Sequence, residues 1–281
     1  MNNKPRRPWI AALLTLLSRG LGHLYAGNPK RGLILFGIEL LLIVSLMSVV
    51  VIIPNIITML FVVVSGLAFL IYCIIDATSF ARKNSENYEL AKFNRWFVYV
   101  GYYVVLSLFV STLVSFIIKT NLTEAFKIPS GAMIPTVLIG DHILANKFIY
   151  KTAEPKRGDI IIFPYPKDPS RNFIKRLIAT EGVVVEIRAK RLYLNGNQQT
   201  EPYIINSDNE IRTDVRDSFG PITVPPGMLF FMGDNRDQSY DSRFYGFVQR
   251  KTIKGKAIIL YWSWDRVNYQ VRWDRIGKVL K

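Results

Sequence analysis

The chain has 281 residues, half of them hydrophobic, and a formal net charge of +15 at pH 7. This length allows a membrane part and one soluble domain of ordinary size. Because Cys73 is the only cysteine, an intramolecular disulfide and a cysteine-based metal site are excluded. The only histidines are His23 and His142. Since His23 lies in an apolar stretch, a Ser-His-Asp arrangement would depend on His142 alone.

Both halves of the chain are basic. Residues 1–120 carry 11 Lys and Arg against 4 Asp and Glu, and residues 121–281 carry 25 against 17. A basic soluble domain attached to lipid is expected to lie against anionic headgroups. Nucleic acid is not an expected partner, because the Lys and Arg are scattered and no recognised nucleic-acid motif accompanies them.

The chain starts with a basic, polar segment, Met1–Pro8, which an apolar stretch follows. This resembles the start of a signal peptide, but no small-residue cleavage site follows, so we expect the segment to be retained. Arg19, Gly20 and Gly22 interrupt the apolar stretch, which is therefore too short to cross a hydrocarbon core about 30 Å thick. The sequence predicts an interfacial or re-entrant segment at about 9–25.

Three later stretches have the length and apolar composition of transmembrane helices. They lie at about 33–53, 56–75 and 97–118. Between the second and third, residues 76–96 form a basic loop, and positive charge marks the cytoplasmic side of a membrane protein. We therefore expect this loop and the N-terminus to be cytoplasmic, and everything after Lys119 to lie on the outer side.

From Asn121 onward, short apolar runs alternate with Gly, Pro, Asn and Asp, a pattern typical of strands and turns. The sequence Asn195-Gly196 between two such runs is a strong hairpin signal. The strand-length runs include His142–Phe148, Asp159–Phe163, Val183–Arg188, Arg191–Leu194, Met228–Met232 and Ile253–Tyr261. We therefore predict a multi-span helical membrane anchor, residues 1–119, followed by a mainly β domain, residues 120–281.

The segment directly after the last apolar stretch, Phe126–Asp141, is the first candidate for chemistry. Pro129 and Pro135 flank Ser130-Gly131-Ala132, and prolines restrict both their own backbone and that of the preceding residue. Such a segment can hold a short side chain and its neighbouring amide at a fixed angle. An ordinary juxtamembrane linker is the alternative interpretation.

Two further segments carry polar groups among apolar strands. Lys175 lies inside the run Phe173–Ile178, where lost solvation would lower its pKa and let it accept a proton near neutral pH. A lysine of this kind can activate a serine without a histidine. Gly233–Arg243 is a dense polar loop. The alternatives are a lysine that reaches out to solvent and a loop closed by its own hydrogen bonds.

The order of these segments resembles that of the type I signal peptidases, membrane-bound serine proteases that remove signal peptides from exported proteins. The resemblance covers about Phe126–Trp264, and the N-terminal part is less specifically similar to the multi-span anchor of some bacterial members. The matching segments are Pro129–Thr136 with Gly140-Asp141, Arg157–Ile160, Ile174–Arg176 and Gly233–Arg243. The resemblance implies a β-rich catalytic domain on the outer, periplasmic face of the bacterial plasma (inner) membrane. It also implies a Ser/Lys dyad that needs no metal or organic cofactor.

The resemblance assigns roles to single residues. Lys175 would be the general base, and Ser239 would hydrogen-bond and orient it. Ser130, together with the amide of residue 132, would form the oxyanion hole. The other supporting residues would be Asp234 and the ion pair of Asp241 with Arg243. The substrate-binding residues would be Ile128, Pro129 and Met133, the last beside a pocket for small side chains.

One position departs from the family pattern in a way that bears on activity. The family's nucleophile is the second serine of Pro-Ser-Gly-Ser-Met, and Ala132 stands there. A methyl group has no lone pair to attack a carbonyl, so we expect the chain to bind signal peptides without cleaving them. Ser130 cannot replace it, because a misplacement of about 1 Å already costs on the order of a hundredfold in rate. A second departure, Ala179–Val183 where the family has Gly-Leu-Pro-Gly-Asp, puts the turn after the lysine in doubt.

Two origins of Ala132 stay open: a deliberate change of serine to alanine, or a natural member of the family that has lost activity. The expected partners are signal peptides of exported preproteins and membrane lipid, and we expect a monomer. A natural, non-catalytic membrane protein that binds signal peptides is the alternative in another functional class. A Ser/Lys autoprotease like those of DNA-bound repressors shares the chemistry, but the spans and the lack of a helix-turn-helix signal disfavour it.

Overall fold

The computed structural model describes residues 4–86 and 88–281. Residues 1–3 of the basic start and residue 87 of the basic loop lie outside the described residues. The chain divides into two compact units, residues 1–120 and 121–281.

The N-terminal part is helical. Its helices are α1 (Pro8–Leu17), α2 (Leu21–Tyr25), α3 (Pro29–Ile52), α4 (Ile56–Lys83) and α5 (Trp96–Asn121), the last with a π-helical stretch at Tyr103–Val110. Among the described residues, α3, α4 and α5 are long and apolar enough to cross a membrane. With ten and five residues, α1 and α2 are each too short to span a core of about 30 Å.

Local sequence signals set the ends of these helices. The Asn28 side chain accepts a hydrogen bond from Arg31 N–H (3.1 Å) at the start of α3, and Asn55 accepts one from Thr58 N–H (2.9 Å) at the start of α4. Gly20 adopts a left-handed conformation (φ 94°) between α1 and α2. A Cβ atom there would lie 2.5 Å from the Gly32 carbonyl oxygen, so only glycine permits this close approach to α3.

The second unit is mainly β, and this prediction is confirmed. Its twelve strands form an eight-stranded sheet in the order β1-β2-β11-β3-β4-β9-β10, with β12 beside β11, and a four-stranded sheet in the order β7-β6-β5-β8. The strands are β1 (Thr123–Lys127), β2 (Asp141–Asn146), β3 (Ile160–Tyr165), β4 (Asp168–Ala179), β5 (Val184–Arg188), β6 (Arg191–Leu194), β7 (Asn197–Gln198), β8 (Phe219–Thr223), β9 (Met228–Met232), β10 (Val248–Gln249), β11 (Gly255–Asp265) and β12 (Gln270–Val271). Two single-turn α-helices, Ile149–Thr152 and Ser242–Tyr245, accompany them. Strands β6 and β9 have the predicted bounds.

Strand β4 has two different faces. On one face, Ile174 packs against the buried cluster that contains Ile128 and Met133. On the other, Phe173 packs against the separate cluster that contains Phe163. The C-terminal half of β4 pairs with β9, whereas its first half, up to Lys175, has only β3 as a strand partner among the described residues. One edge of this half is therefore open to a further strand.

The turn after β4 closes although its sequence departs from the family pattern. Gly182 has a φ of 79°, a left-handed conformation that glycine adopts without steric cost. Its N–H donates to the Val224 carbonyl at 2.9 Å, and Val183 N–H donates to the Thr180 carbonyl at 3.3 Å. The departure at 179–183 therefore leaves the backbone of this turn hydrogen-bonded.

Candidate active site

The segment Ser130–Ala132 lies in the loop between β1 and β2. Ser130 is exposed, Ala132 is half-buried, and the next residue, Met133, is only 1% exposed. Gly131 O accepts a hydrogen bond from Ile134 N–H at 3.1 Å. The loop is thus anchored in the core at Met133 while the hydroxyl-bearing residue 130 remains open to solvent.

Lys175 is buried on β4, with 4% of its surface exposed. Its Nζ donates to Ser239 Oγ at 2.9 Å. Burial lowers the pKa of Lys175 to about 8, although the negative charge of Asp241 acts in the opposite direction. A useful fraction of the amine is therefore neutral near physiological pH, as a general base requires.

At Gly233, the hydrogen-bonded pair of Lys175 and Ser239 comes close to residue 132. A Cβ atom on Gly233 would lie 2.2 Å from Ser239 Oγ and 2.3 Å from the Ala132 carbonyl oxygen. Because both atoms lie so close to one point, the hydroxyl that holds Lys175 adjoins the backbone of residue 132. The structure thus brings together Lys175, Ser239 and residue 132.

A buried ion pair, Asp241 with Arg243, holds the backbone next to Lys175 and Ser239. Asp241 is fully buried, and its two carboxylate oxygens each accept a hydrogen bond from the Arg243 guanidinium at 2.8 Å. Burial alone would raise the pKa of Asp241. The charge and hydrogen bonds of Arg243, together with the charge of Lys175 and the hydrogen bond from Gly233, outweigh this effect and hold the pKa below its usual range. Asp241 also accepts the N–H of Gly233 at 3.1 Å, so the pair fixes the glycine that separates Ser239 from residue 132.

A second buried pair ties the candidate loop to β4, and here the sequence analysis missed two partners. The predicted supporting residue Asp234 accepts two hydrogen bonds from Arg176, at 2.8 and 2.7 Å. Thr136 donates to the same carboxylate at 2.5 Å. Arg176 directly follows the lysine inside an apolar run, and a buried arginine requires an acidic partner. That requirement is the signal that could have pointed to it.

Asn235 is a further residue that the sequence analysis missed. It is 2% exposed, its N–H donates to the Ala132 carbonyl at 3.2 Å, and its side-chain amide donates to the Gly131 carbonyl at 3.2 Å. The adjacent carbonyls of Gly131 and Ala132 are therefore both held by one residue of the polar loop. Its place in that dense polar loop was the only available signal.

The predicted substrate-binding residues differ in burial. Ile128 and Met133 are buried and share a cluster with Ile174, whereas Pro129 is exposed. His142, the one histidine on which a Ser-His-Asp arrangement could depend, lies on β2 and contacts the Tyr261 hydroxyl at 3.4 Å. Among the described residues His142 has no hydrogen bond to a serine, so the geometry does not favour a Ser-His-Asp arrangement.

The second half of the chain is similar to known proteins. The family described as signal peptidase, peptidase S26, matches residues 101–262, more than half of the chain. The chain belongs to this family. The match contains Ser130, Ala132, Lys175 and most of the strands around them.

Two bacterial signal peptidases illustrate the degree of similarity. Signal peptidase I of Aquifex aeolicus (strain VF5) is 34% identical over 213 residues, covering 57% of this chain and 83% of the relative. Signal peptidase I of Leptolyngbya laminosa is 37% identical over 158 residues, covering 53% of this chain and 74% of the relative. A crystal structure of a signal peptidase I from Enterococcus faecalis V583 is 38% identical, covers 37% of this chain and 97% of that chain, and has a TM-score of 0.32.

Proposed function

We propose that this chain recognises the signal peptides of exported preproteins and, because residue 132 is alanine, holds them without cleaving them. The observation that carries the proposal is the 2.9 Å hydrogen bond between Lys175 and Ser239 beside residue 132. Lys175 would be the base, Ser239 the hydroxyl that orients it, and the two buried ion pairs would support them, while Ala132 offers no oxygen for attack.

With serine at 132, the same site would act as a serine endopeptidase with a Ser/Lys dyad. The serine oxygen attacks the carbonyl carbon before the scissile bond, and the neutral Lys175 amine takes its proton. The Ser130 hydroxyl and the amide of residue 132 stabilise the oxyanion, a contribution of about 3 kcal/mol per donor in comparable sites. The lysine then gives its proton to the leaving amine, and water hydrolyses the acyl-enzyme by the same route in reverse.

The end of the signal peptide would bind as an extended strand. The open edge of β4 offers unpaired backbone groups up to Lys175, which suits strand addition. We propose that the small side chains of the substrate occupy a shallow pocket against the buried cluster of Ile128, Met133 and Ile174. This combination fits a substrate that ends in Ala-x-Ala, the small-residue signature of signal peptides.

The proposal predicts selective binding without cleavage by the unaltered chain. The probe is a fluorescent peptide in which a signal peptide ending in Ala-x-Ala is followed by several residues of the mature protein. The full chain in lipid nanodiscs should bind it at least about tenfold more tightly than a version with leucine at the last signal-peptide position. The reason is that a larger side chain does not fit the shallow pocket. Fluorescence anisotropy measures the affinity, and mass spectrometry after prolonged incubation should find the peptide intact. Equal affinity for both peptides would refute the proposal.

A natural, non-catalytic signal-peptide-binding protein is the second candidate, favoured by alanine at the nucleophile position. Such a protein would bind signal peptides in the same way, but its alanine at residue 132 would be natural rather than introduced. The codon for residue 132 in the encoding gene separates the two, because a serine codon would show that the alanine was introduced.

For the membrane orientation, we propose that the N-terminus and residues 76–96 are cytoplasmic and that the β unit is on the periplasmic side, as a monomer on the lipid surface. The basic loop carries the argument. In a Cys73→Ala background, cysteine in place of exposed Lys151 should react with a membrane-impermeant thiol reagent applied to the periplasm. Cysteine in place of exposed Lys83 should not. The reverse labelling pattern would overturn this orientation.

A further inference from the structure

A group of aromatic side chains beside Lys175 is not used by the chemistry described above. Tyr165 stacks on Phe173 with ring centroids 4.5 Å apart, and Tyr240 lies 6.2 Å from Tyr165 and 5.4 Å from Phe244. Tyr240 and Phe244 are 45% and 38% exposed. Single exposed aromatic residues are common, but a connected set next to an active site indicates a binding surface. We call these four residues the aromatic surface.

The aromatic surface lies on the same side of β4 as the proposed base. Side chains alternate along a strand, so Phe173 and Lys175 share one face while Ile174 occupies the other. The Lys175 Nζ lies 5.7 Å from the Phe173 ring centroid. Tyr240 directly follows Ser239, whose hydroxyl holds that amine. The aromatic surface therefore borders Lys175, on the face of β4 opposite the proposed pocket for small side chains.

A substrate strand beside the open edge of β4 would alternate in the same way. If the last residue of the signal peptide enters the pocket of Ile128 and Met133, the third residue from the end faces the same side. The middle residue of Ala-x-Ala must then point to the opposite side, where Phe173 lies. The position written as x is therefore the one whose side chain meets the aromatic surface.

We infer that Tyr165, Phe173, Tyr240 and Phe244 form a subsite that selects a large apolar or aromatic side chain at the middle position of the Ala-x-Ala ending. The inference rests on the proposed function and specifies its substrate class further. A large apolar or aromatic side chain would contact the rings and cover their exposed area. Alanine is too small to do so. A charged side chain could cover the rings only by losing part of its hydration.

The test compares signal peptides that differ only at the middle position. The unaltered full chain in nanodiscs should bind a peptide ending in Ala-Phe-Ala about tenfold more tightly than one ending in Ala-Ala-Ala, and Ala-Glu-Ala should bind most weakly. Tyr165→Ala and Tyr240→Ala should each reduce the preference for phenylalanine severalfold while leaving the affinity for Ala-Ala-Ala within about twofold. Tyr240→Phe retains the ring and should keep the preference.

The controls separate failure of the subsite from failure of the function. Tyr269 is 81% exposed elsewhere in the β unit, so Tyr269→Ala should change neither affinity nor preference. Circular dichroism and thermal unfolding check that each variant is folded. Equal affinity for the three peptides would overturn the subsite and leave signal-peptide binding intact. No binding of any of them would overturn both.

Discussion

Replacing Ala132 with serine is expected to convert this chain into an active signal peptidase. A preprotein whose signal ends in Ala-x-Ala should be cut after the last alanine, at a rate on the order of 10⁴ to 10⁶ times that of the unaltered chain. We expect a large gain because Lys175 donates to the Ser239 hydroxyl, which adjoins the backbone of residue 132, so a serine oxygen there would complete the proposed dyad. Gel analysis of the processed preprotein and sequencing of the new N-terminus measure rate and position.

Lys175 provides the control for this result. Lys175→Ala in the serine-containing protein should abolish cutting, and the pH profile of the active protein should report the same group. Since only the neutral amine accepts a proton and its pKa is about 8, cleavage should rise about tenfold from pH 7 to pH 9. A serine-containing protein that folds, enters the membrane and binds signal peptide but never cuts would support the non-catalytic alternative.

Features of the fold that depend on residues close together in the sequence could be predicted. Residues of β6 alternate between buried and partly or fully exposed positions, and Asn195 and Gly196, which follow it, have φ values of 49° and 80°. Asparagine and glycine tolerate this left-handed conformation best, so the hairpin was readable from the sequence. Lys175 could likewise be predicted as a candidate site residue, because a lysine is rarely buried inside an apolar run unless it has a partner or a function.

Contacts that join distant segments were not predictable in the same way. Asn235 reaches back to Gly131 and Ala132, about a hundred residues earlier in the chain, and Arg176 reaches Asp234. These pairings depend on the register of β4 against β9 and on the path of the loop that follows β9. No short-range periodicity records such a register, so the partners became visible only in the folded chain.

Gly233 shows how strongly these long-range contacts constrain the site. In the serine-containing protein, Gly233→Ala is expected to reduce cleavage at least about a hundredfold. The added methyl group would lie 2.2 Å from Ser239 Oγ and 2.3 Å from the residue-132 carbonyl oxygen, whereas real Cβ contacts essentially never fall below 3.0 Å. The Ser239 hydroxyl could rotate away, but it would then lose its hydrogen bond with Lys175. The residue-132 carbonyl cannot easily move, because it accepts a hydrogen bond from Asn235 N–H.

The free energy of unfolding separates a displaced site from a lost fold. Forcing a methyl group into a packed region costs about 1–3 kcal/mol, which a domain of this size tolerates. Gly233→Ala should therefore remain folded and lose cleavage far more than stability. Gly66→Ala is the matched control, because a Cβ atom there would meet nothing within 4 Å. Undiminished cleavage by Gly233→Ala would show that Ser239 and the backbone of residue 132 are not held together as the structure indicates, and the Ser/Lys site would need another geometry.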